Sequence, residues 1–337
     1  MSAPAGALHG AAVLGGGPLQ VQDYADFLGA EYLAGYLPAG GGSVKIAVVG
    51  DHDVARRFHV ALGGAARTAD VVHVHVRAED TRVHLVDQVF FAASSQVDWT
   101  AIARGVLTRA YDAAGMPADG ARLTVAEVAA HHDLDARELY RSVRRELERA
   151  VLDDSTLARE MRRAVLRLAQ AEMSGGDVSP AQAQAVLGWL RGDTVPAREL
   201  REALIFGRIA RHNARAVLVS LGRLLLRTGR GGLVLHLDLL RLAEGRRPPL
   251  EQRSGYYYSK AAVVDAYELV RQLIDSTDEL AGVLVVAVVP ADLVTDEVRG
   301  LPAYSALQLR VADEVRDRRR PNPFAAMVRL ETRLEAV

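Results

Sequence analysis

Short, unbroken apolar segments recur along this chain, and most are followed by a stretch with helical periodicity. They lie at residues 44–49, 71–76, 232–238 and 283–289, with a weaker one at 327–330. Strands that are apolar on both sides are typical of parallel sheets, because helices cover both faces of such sheets. The sequence therefore predicts an α/β fold with a mainly parallel sheet.

The middle of the chain has a different pattern, since it is helical almost without interruption from Trp99 to Arg227. Two of its helix starts carry capping boxes, Thr124 with Glu127 and Ser179 with Gln182. We predict a flexible leader over residues 1–22, a first part of the α/β core over 23–98, a helical insertion over 99–228, and a second part of the core over 229–337.

Charge and cysteine content exclude several classes of function. The 41 Lys and Arg residues balance 42 Asp and Glu residues, so no global charge attracts nucleic acid or an anionic membrane. The chain has no cysteine, which removes disulfides, thiolate metal sites and cysteine nucleophiles. No Lys or Arg precedes Lys45, and the apolar segments are too short to span a bilayer. We expect a cytoplasmic protein without a signal peptide.

The first long strand ends at a glycine before a tight loop and a helix, the layout of a phosphate-binding loop. An intact loop reads G-x-x-x-x-G-K-[ST]. Here only Gly50 is kept, Arg56 replaces the lysine, and Arg57 replaces the hydroxyl that would hold Mg²⁺. Arginine is a longer planar fork than lysine, and a second cation repels a metal ion. We predict that Asp53 caps the helix and that its carboxylate fills the anion site.

The second half of such a site is also altered. Asp238 ends a strand where P-loop proteins hold Mg²⁺, but the next position, usually a general base, is Leu239. The strand at 283–289 ends in Pro290, with no side chain that could orient a water. Lys45 lies inside its strand and does not replace the loop lysine. The sequence therefore predicts no catalytic residues, and it disfavours ATP and Mg²⁺ as cofactors.

Several further segments have a familiar order and spacing. They are residues 31–33, 41–45, 189–193, 231–235, 266–275 and 300–307, followed by Arg310. Together they resemble the BREX-system ATP-binding P-loop family, the BrxD-like proteins, across residues 24–335. The resemblance implies a P-loop NTPase-like fold of the AAA+ type. Members of that family have an intact loop lysine and an Asp-Glu pair, both of which this sequence lacks.

The resemblance also implies a vestigial nucleotide site. By position it would contain Gly50, Arg56, Arg57 and Asp238, together with Arg310 as a sensor or finger arginine. The scaffold without its catalytic groups leads us to expect a pseudo-ATPase that is a structural or regulatory subunit of a bacterial complex, with phage defence as the implied setting. Its partner would be an active ATPase, a helicase, another effector or a second copy of the chain.

Alternatives remain open for both nucleotide and nucleic-acid binding. Arg56 or Arg57 could bind phosphate bidentately in an unconventional ATP-binding enzyme. Residues 123–147 have the rhythm of a DNA-binding helix-turn-helix, although interleaved glutamates explain their arginines as ion pairs. Residues 256–258 carry three tyrosines that could stack on single-stranded bases, but packing is the simpler interpretation.

Histidines suggest one more alternative. His73 and His75 alternate on one face of a strand, and with His59 or His84 they could ligate a metal ion. Polar strand positions are the simpler interpretation, so the sequence predicts no metal site.

Overall fold

A computed structural model describes residues 17–118, 122–245, 247–312 and 321–332 of the chain. The described residues form two compact units. The first runs up to Val89 and resumes at Gly231, and the second is Phe90–Arg230. The helical insertion predicted over residues 99–228 lies within the second unit. Among the helices in the described ranges, none is long and apolar enough to cross a membrane.

Six strands form one sheet in the first unit. The strands are β1 (Leu19–Gln20), β2 (Gly42–Val49), β3 (Val72–Arg77), β4 (Leu233–Asp238), β5 (Val283–Pro290) and β6 (Met327–Glu331). Their order across the sheet is β1-β6-β2-β5-β4-β3, and every neighbouring pair is parallel. The predicted α/β fold with a parallel sheet is confirmed.

Thirteen α-helices are found in the described residues, and their lengths vary widely. They are α1 (Val21–Leu28), α2 (His52–Thr68), α3 (Val86–Ser94), α4 (Trp99–Ala113), α5 (Val125–His132), α6 (Ala136–Leu152), α7 (Arg159–Met173), α8 (Pro180–Arg191), α9 (Ala197–Glu202), α10 (Ala214–Arg227), α11 (Lys260–Asp275), α12 (Asp292–Thr295) and α13 (Ser305–Val311).

One row of side chains crosses the middle of the sheet on a single face. In the register of the strands, Lys45 of β2 pairs with Val286 of β5, Val286 pairs with His236 of β4, and His236 pairs with His75 of β3. Neighbours at the same register position point to the same face of a sheet. The sheet therefore carries an apolar centre on this face with three basic side chains in the same row.

Helices α1 and α2 cover that face. Leu28 of α1 and Phe58 and Leu62 of α2 are fully buried in one cluster with Ala47 and Val288 of the central strands. Apolar residues at helical spacing put one side of α2 on the sheet and leave the other side in solvent. This packing fixes the position of α2 and of the loop before it.

The start of the chain differs from the predicted leader. Residues 1–16 lie outside the described residues, but Leu19 and Gln20 form β1 beside β6, and α1 begins at Val21. The Gln20 Nε2 donates a hydrogen bond of 2.8 Å to Glu331 Oε1. The leader prediction is thus wrong for residues 19–22, because the short edge strand β1 pairs with β6 and Val21 is buried.

The second unit is helical. Its core includes Trp99, whose indole N–H donates to the Ser94 carbonyl at 3.1 Å, and Tyr111, whose hydroxyl donates to the Leu123 carbonyl at 3.0 Å. Both predicted capping boxes are present, at Thr124 and Ser179. Buried polar groups that keep their hydrogen bonds are typical of a well-ordered core.

Two glycines at opposite ends of the strands differ in the space that their backbone leaves for a side chain, so Gly→Ala substitutions at the two positions can be compared. Gly232 has φ of +120°, and a Cβ there would lie 2.5 Å from the Gly282 carbonyl oxygen, whereas a Cβ at Gly50 would meet nothing within 4 Å. We expect Gly232→Ala to lower the free energy of unfolding by about 1–3 kcal/mol, and Gly50→Ala to leave it nearly unchanged. Urea unfolding of both variants checks this, and equal effects would contradict it.

Candidate functional site

The loop between β2 and α2 is where the sequence predicts an anion site. Asp51 is the N-cap residue of α2, and its Oδ1 accepts a hydrogen bond of 2.9 Å from the Val54 amide. Amides at a helix N-terminus are the groups that bind phosphate in P-loop proteins. At this position one of those amides is already bonded to a carboxylate of the chain itself.

Asp53 is not the cap, so that prediction is wrong. Its carboxylate accepts hydrogen bonds from Arg56 and, at 2.7 Å, from Nε of Arg57. The hydrogen bond from Arg56, then that from Arg57, lowers the pKa of Asp53 below its ordinary value. Asp51 takes the cap because its extended backbone directs its side chain to the third amide of the helix, whereas Asp53 is already inside the first turn.

The two aspartates give a second matched pair of variants. We expect Asp51→Ala to lower the free energy of unfolding by about 1 kcal/mol, because the Val54 amide loses its partner. Asp53→Ala removes only exposed ion pairs, which are screened by solvent, so it should lower the free energy of unfolding less than Asp51→Ala does. Chemical denaturation of both variants measures the difference, and a larger loss for Asp53→Ala would contradict the assignment of the cap.

Asp238 lies at the carboxyl end of β4. Its Oδ1 accepts a hydrogen bond of 3.0 Å from the Leu240 amide, and its Oδ2 lies 3.8 Å from Nε2 of His75. Burial raises the pKa of this carboxyl, against a smaller lowering by the Leu240 amide. Leu239 is buried, and its amide donates to the Val288 carbonyl at 2.8 Å. The position of a second acid is therefore filled by an apolar core side chain.

Lys45 is buried within the sheet and does not point to the loop. Its ammonium donates to the carbonyls of Phe324, at 2.7 Å, and Ala325, at 3.2 Å, and lies 5.0 Å from the centre of the Tyr32 ring. Burial lowers the pKa of Lys45 to about 8. This amine holds the segment before β6 in place, as a structural cation.

Arg310 lies away from the loop. Its guanidinium forms an ion pair with Asp275, the last residue of α11, and donates to the Ala306 carbonyl at 2.8 Å. Helix α11 returns from β4 to β5, so its last residue is at the amino edge of the sheet, whereas Gly50 and Asp238 are at the carboxyl edge. A helix of 16 residues is about 24 Å long, so Asp275 lies far from the end of α11 that follows β4. Arg310 is therefore not part of the same site within one chain.

The guanidiniums of Arg56 and Arg57 are paired with Asp53 at the surface of α2. Their side chains are 69% and 52% exposed and line a cavity of about 580 Å³ on the side of α2 that faces β1. Gln20 and Asp23 line the same cavity. Of the five predicted site residues, Gly50 and Asp238 lie at the carboxyl edge of the sheet, and Arg56 and Arg57 lie in the first turns of α2 and line the cavity beside β1. Arg310 is at the opposite edge.

Four histidines cluster between α2 and the strands β3 and β4. The rings of His59 and His75 stack at 4.1 Å, His75 and His236 lie 4.5 Å apart, and His73 Nε2 is 3.3 Å from His236 Nδ1. One ring nitrogen from each of His59, His75 and His236 lies within 4.8 Å of the other two. His84, the alternative partner from the sequence, instead packs against the ring of Tyr258.

Burial keeps this cluster uncharged. Desolvation lowers the pKa of His73 to about 4 and of His75 to about 3, and it lowers the pKa of His59 and His236 as well. Repulsion between neighbouring imidazoles adds to the effect for His73, His75 and His236. At neutral pH the four rings are therefore neutral imidazoles with lone pairs on ring nitrogens.

The histidine pattern in the sequence indicates His73 and His75, with His59 or His84, but it does not indicate His236. That residue is 1% exposed, in the middle of an apolar strand. The signal that could have found it is the alternation His-Val-His in β3 facing Leu-His-Leu in β4. Using this signal requires the register between two strands that lie far apart in the sequence.

The arginines of residues 123–147 occur on α6, after a turn in which Asp133 has a positive φ. Arg144 forms an ion pair with Glu148 on the same helix and another with Asp177, and Arg141 donates to the carbonyl of Arg137. Intrahelical pairing therefore engages at least part of the basic surface that a helix-turn-helix would use. DNA binding by this segment stays a prediction.

The three tyrosines at 256–258 do not share one environment. The Tyr258 hydroxyl is buried and donates to the Ala78 carbonyl at 2.8 Å, whereas Tyr257 stacks with the guanidinium of Arg241 at 4.1 Å and Tyr256 with that of Arg82 at 5.1 Å. Tyr258 thus has a packing role, and the other two rings are already stacked on arginines.

Comparison with known proteins gives one finding. A family model described as BREX system ATP-binding protein BrxC/D matches residues 121–336, which is more than half of the chain. The matched region contains β4 with Asp238, as well as α11 and Arg310, and it begins after the loop at Gly50. Neither the curated proteins nor the solved structures give a match.

Proposed function

Because the chain belongs to the BrxC/D family of BREX system ATP-binding proteins, we propose that it is a degenerate P-loop member that does not hydrolyse ATP. In this proposal it is a structural or regulatory subunit of a bacterial phage-defence complex. Membership of the family supports the role in a BREX complex. The geometry of the loop at Gly50 supports the absence of ATP hydrolysis.

The observation that carries the proposal is the hydrogen bond from the Val54 amide to Asp51. An incoming phosphate would have to displace this carboxylate and then lie beside it, with like charges repelling one another. Asp53 adds a second negative charge in the first turn of α2. The Asp51 carboxylate therefore takes a helix amide that a triphosphate would need, and Asp53 keeps Arg56 and Arg57 in ion pairs at the surface.

The residues present do not fit Mg²⁺ and a triphosphate. Arg57 stands where a hydroxyl would bind the metal ion, and Asp53 engages the guanidiniums of Arg56 and Arg57 at the surface. Asp238 has one oxygen bonded to the Leu240 amide, and Leu239 cannot accept a proton from water. We therefore derive no hydrolytic step for this chain.

ATP hydrolysis by the purified full chain tests the first part of the proposal. We expect release of inorganic phosphate well below about one per second, the scale of a working ATPase, and no further loss in Asp238→Ala. The control variant is Asp278→Ala, which changes an acid in the short helical turn between α11 and β5. A rate near one per second that Asp238→Ala abolishes and the control keeps would overturn it.

The regulatory part needs a partner. Full-length protein isolated from its host should elute in a complex with an ATP-hydrolysing BREX protein, and its removal should change the hydrolysis rate of that partner. A chain that elutes alone from freshly lysed cells, and whose removal leaves BREX-dependent hydrolysis unchanged, would contradict this part.

A second candidate is ATP binding through the exposed arginines. It is favoured by the cavity that Arg56 and Arg57 line, because this cavity could admit part of a nucleotide. In that case Arg56→Ala and Arg57→Ala should each reduce the ATP that the protein retains in equilibrium dialysis. Equal retention by both variants and the unaltered chain would exclude this role for the arginines.

A further inference from the structure

The structure contains a cluster of histidines that the proposed function does not use. His59 comes from α2, His73 and His75 from β3, and His236 from β4, so three separate elements converge on one point. All of them belong to the first unit. Imidazole pairs are usual in proteins, but four rings in mutual contact inside a covered sheet face need a reason, because each ring displaces apolar packing.

We propose that His59, His75 and His236 form a binding site for a transition-metal dication of the zinc type. Three neutral imidazoles are a known donor set for Zn²⁺, with the fourth position left open. One nitrogen from each ring lies within 4.8 Å of the other two, and ligand nitrogens about 2.1 Å from a tetrahedral zinc lie about 3.4 Å apart. The rings therefore need to close by about 1.4 Å at most.

The movement required is small and falls on the most accessible ring. His59 lies on α2 and is half-buried, while His236 is fixed in the sheet. The His59 ring now stacks on His75, and Nδ1 of His59 is buried without a hydrogen-bond partner among the described residues. Rotation of this one ring out of its stack brings a nitrogen toward the other two. A buried nitrogen without a partner is costly, and a metal ion would satisfy it.

His73 has the position of a supporting residue. Its Nε2 lies 3.3 Å from Nδ1 of His236, so a proton on Nδ1 of His236 can be donated to His73. This hydrogen bond leaves Nε2 of His236 with its lone pair for a metal ion, and it fixes the orientation of the ring. A Cβ at Gly63 would lie 3.0 Å from Nδ1 of His73, so the glycine in α2 gives the His73 ring its space.

Charge balance also favours a cation here. Asp238 has Oδ2 at 3.8 Å from Nε2 of His75, which places a carboxylate at the edge of the cluster. A dication in a partly buried site is stabilised by a neighbouring negative charge.

Titration of the full chain with Zn²⁺ tests the proposal. The protein should carry no histidine tag, and it should be treated with a chelator and then dialysed. We expect one equivalent of Zn²⁺ to bind with Kd below about 1 μM, and Co²⁺ to give the visible absorption of tetrahedral nitrogen coordination. His59→Ala should abolish both signals, and His73→Ala should weaken Zn²⁺ binding about 10- to 100-fold.

The matched control is His212→Ala, which removes an exposed histidine of the second unit and should leave Zn²⁺ binding unchanged. Circular dichroism checks that each variant is folded. If His59→Ala does not fold, a second measurement on the unaltered chain takes its place. Diethyl pyrocarbonate modifies accessible histidines, and mass spectrometry then shows whether Zn²⁺ protects His59 and His75 from this modification. Binding below one-fifth of an equivalent, equal affinity in folded His59→Ala, or no protection of these rings would overturn the proposal.

Discussion

Acidification is expected to destabilise the sheet-bearing unit between pH 6.5 and 4, before most carboxylates titrate. The cause is the histidine cluster, in which burial lowers the pKa of His73 to about 4 and of His75 to about 3. In the unfolded chain the imidazole pKa is about 6.5. The unfolded state therefore binds more protons than the folded state in this range, and the free energy of unfolding falls as the pH falls.

The size of the effect follows from linkage. The stabilising contribution of these rings is complete above pH 6.5 and is lost progressively as the pH falls through their folded pKa values. Each ring contributes a slope of about 1.4 kcal/mol per pH unit in this window. His73 and His75 titrating together would remove on the order of 5 kcal/mol between pH 6.5 and 4, after allowance for the partial exposure of His75. This is comparable with the whole stability of a domain.

The charged groups around the cluster modify this expectation without reversing it. Arg77 disfavours protonation of His75 and Asp80 favours it, and Asp238 favours protonation of His59. Burial is the largest cause for each of these two rings, ahead of every charge. The direction of the shift is therefore set by packing against α2.

Urea unfolding at several pH values, with chelator present, measures the slope. Hydrogen exchange of peptides from β3 and β4 reports on the first unit, because Trp99 and Trp189 both lie in the second. His75→Gln should reduce the slope for the first unit by about 1.4 kcal/mol per pH unit, and His212→Gln should not. A pH-independent stability between 6.5 and 4.5 would contradict the burial argument.

Replacement of Lys45 by methionine is the second change with a large expected effect. The variant keeps the length of the side chain but removes the ammonium that donates to the carbonyls of Phe324 and Ala325. The hydrogen bond to the Ala325 carbonyl is buried, and the one to the Phe324 carbonyl is partly buried. A buried carbonyl that loses its partner costs about 1–3 kcal/mol, so we expect a loss of about 2–4 kcal/mol in the free energy of unfolding.

Lys260→Met is the matched control, because Lys260 is exposed at the start of α11. It should change the stability by less than about 0.5 kcal/mol. Hydrogen exchange of peptides from β6 at increasing denaturant concentration gives the unfolding midpoint of each variant. The two midpoints give the difference in the free energy of unfolding between Lys45→Met and Lys260→Met. A stable Lys45→Met variant would mean that water satisfies the two carbonyls, and the structural role given to this lysine would be wrong.

The fold could be predicted largely from the sequence, and the physical reason is burial on both faces. Strands such as β5 are apolar at every position, so they are visible without knowledge of their neighbours. The two-residue strand β1 could not be seen in this way. Its pairing with β6 depends on contacts at the opposite end of the chain, and two residues carry no periodicity.

The candidate site was harder to predict, since side-chain positions depend on geometry that the sequence does not display. Asp51 and Asp53 are both acceptable N-cap residues, and only the extended backbone at Asp51 decides between them. Arg310 follows the resemblance in its order along the chain but lies at the other edge of the sheet. His236 becomes part of a cluster only through the register of β3 with β4.

Calorimetric titration with ATP and Mg²⁺ measures whether the Asp51 carboxylate holds the place of a phosphate in this chain. For the full-length chain we expect no saturable heat up to about 1 mM ATP. The opposite result is saturable heat that disappears in Asp238→Ala, together with protection of the amides of residues 51–54 from hydrogen exchange. It would show that ATP binds at these amides and that the Asp51 carboxylate does not exclude phosphate.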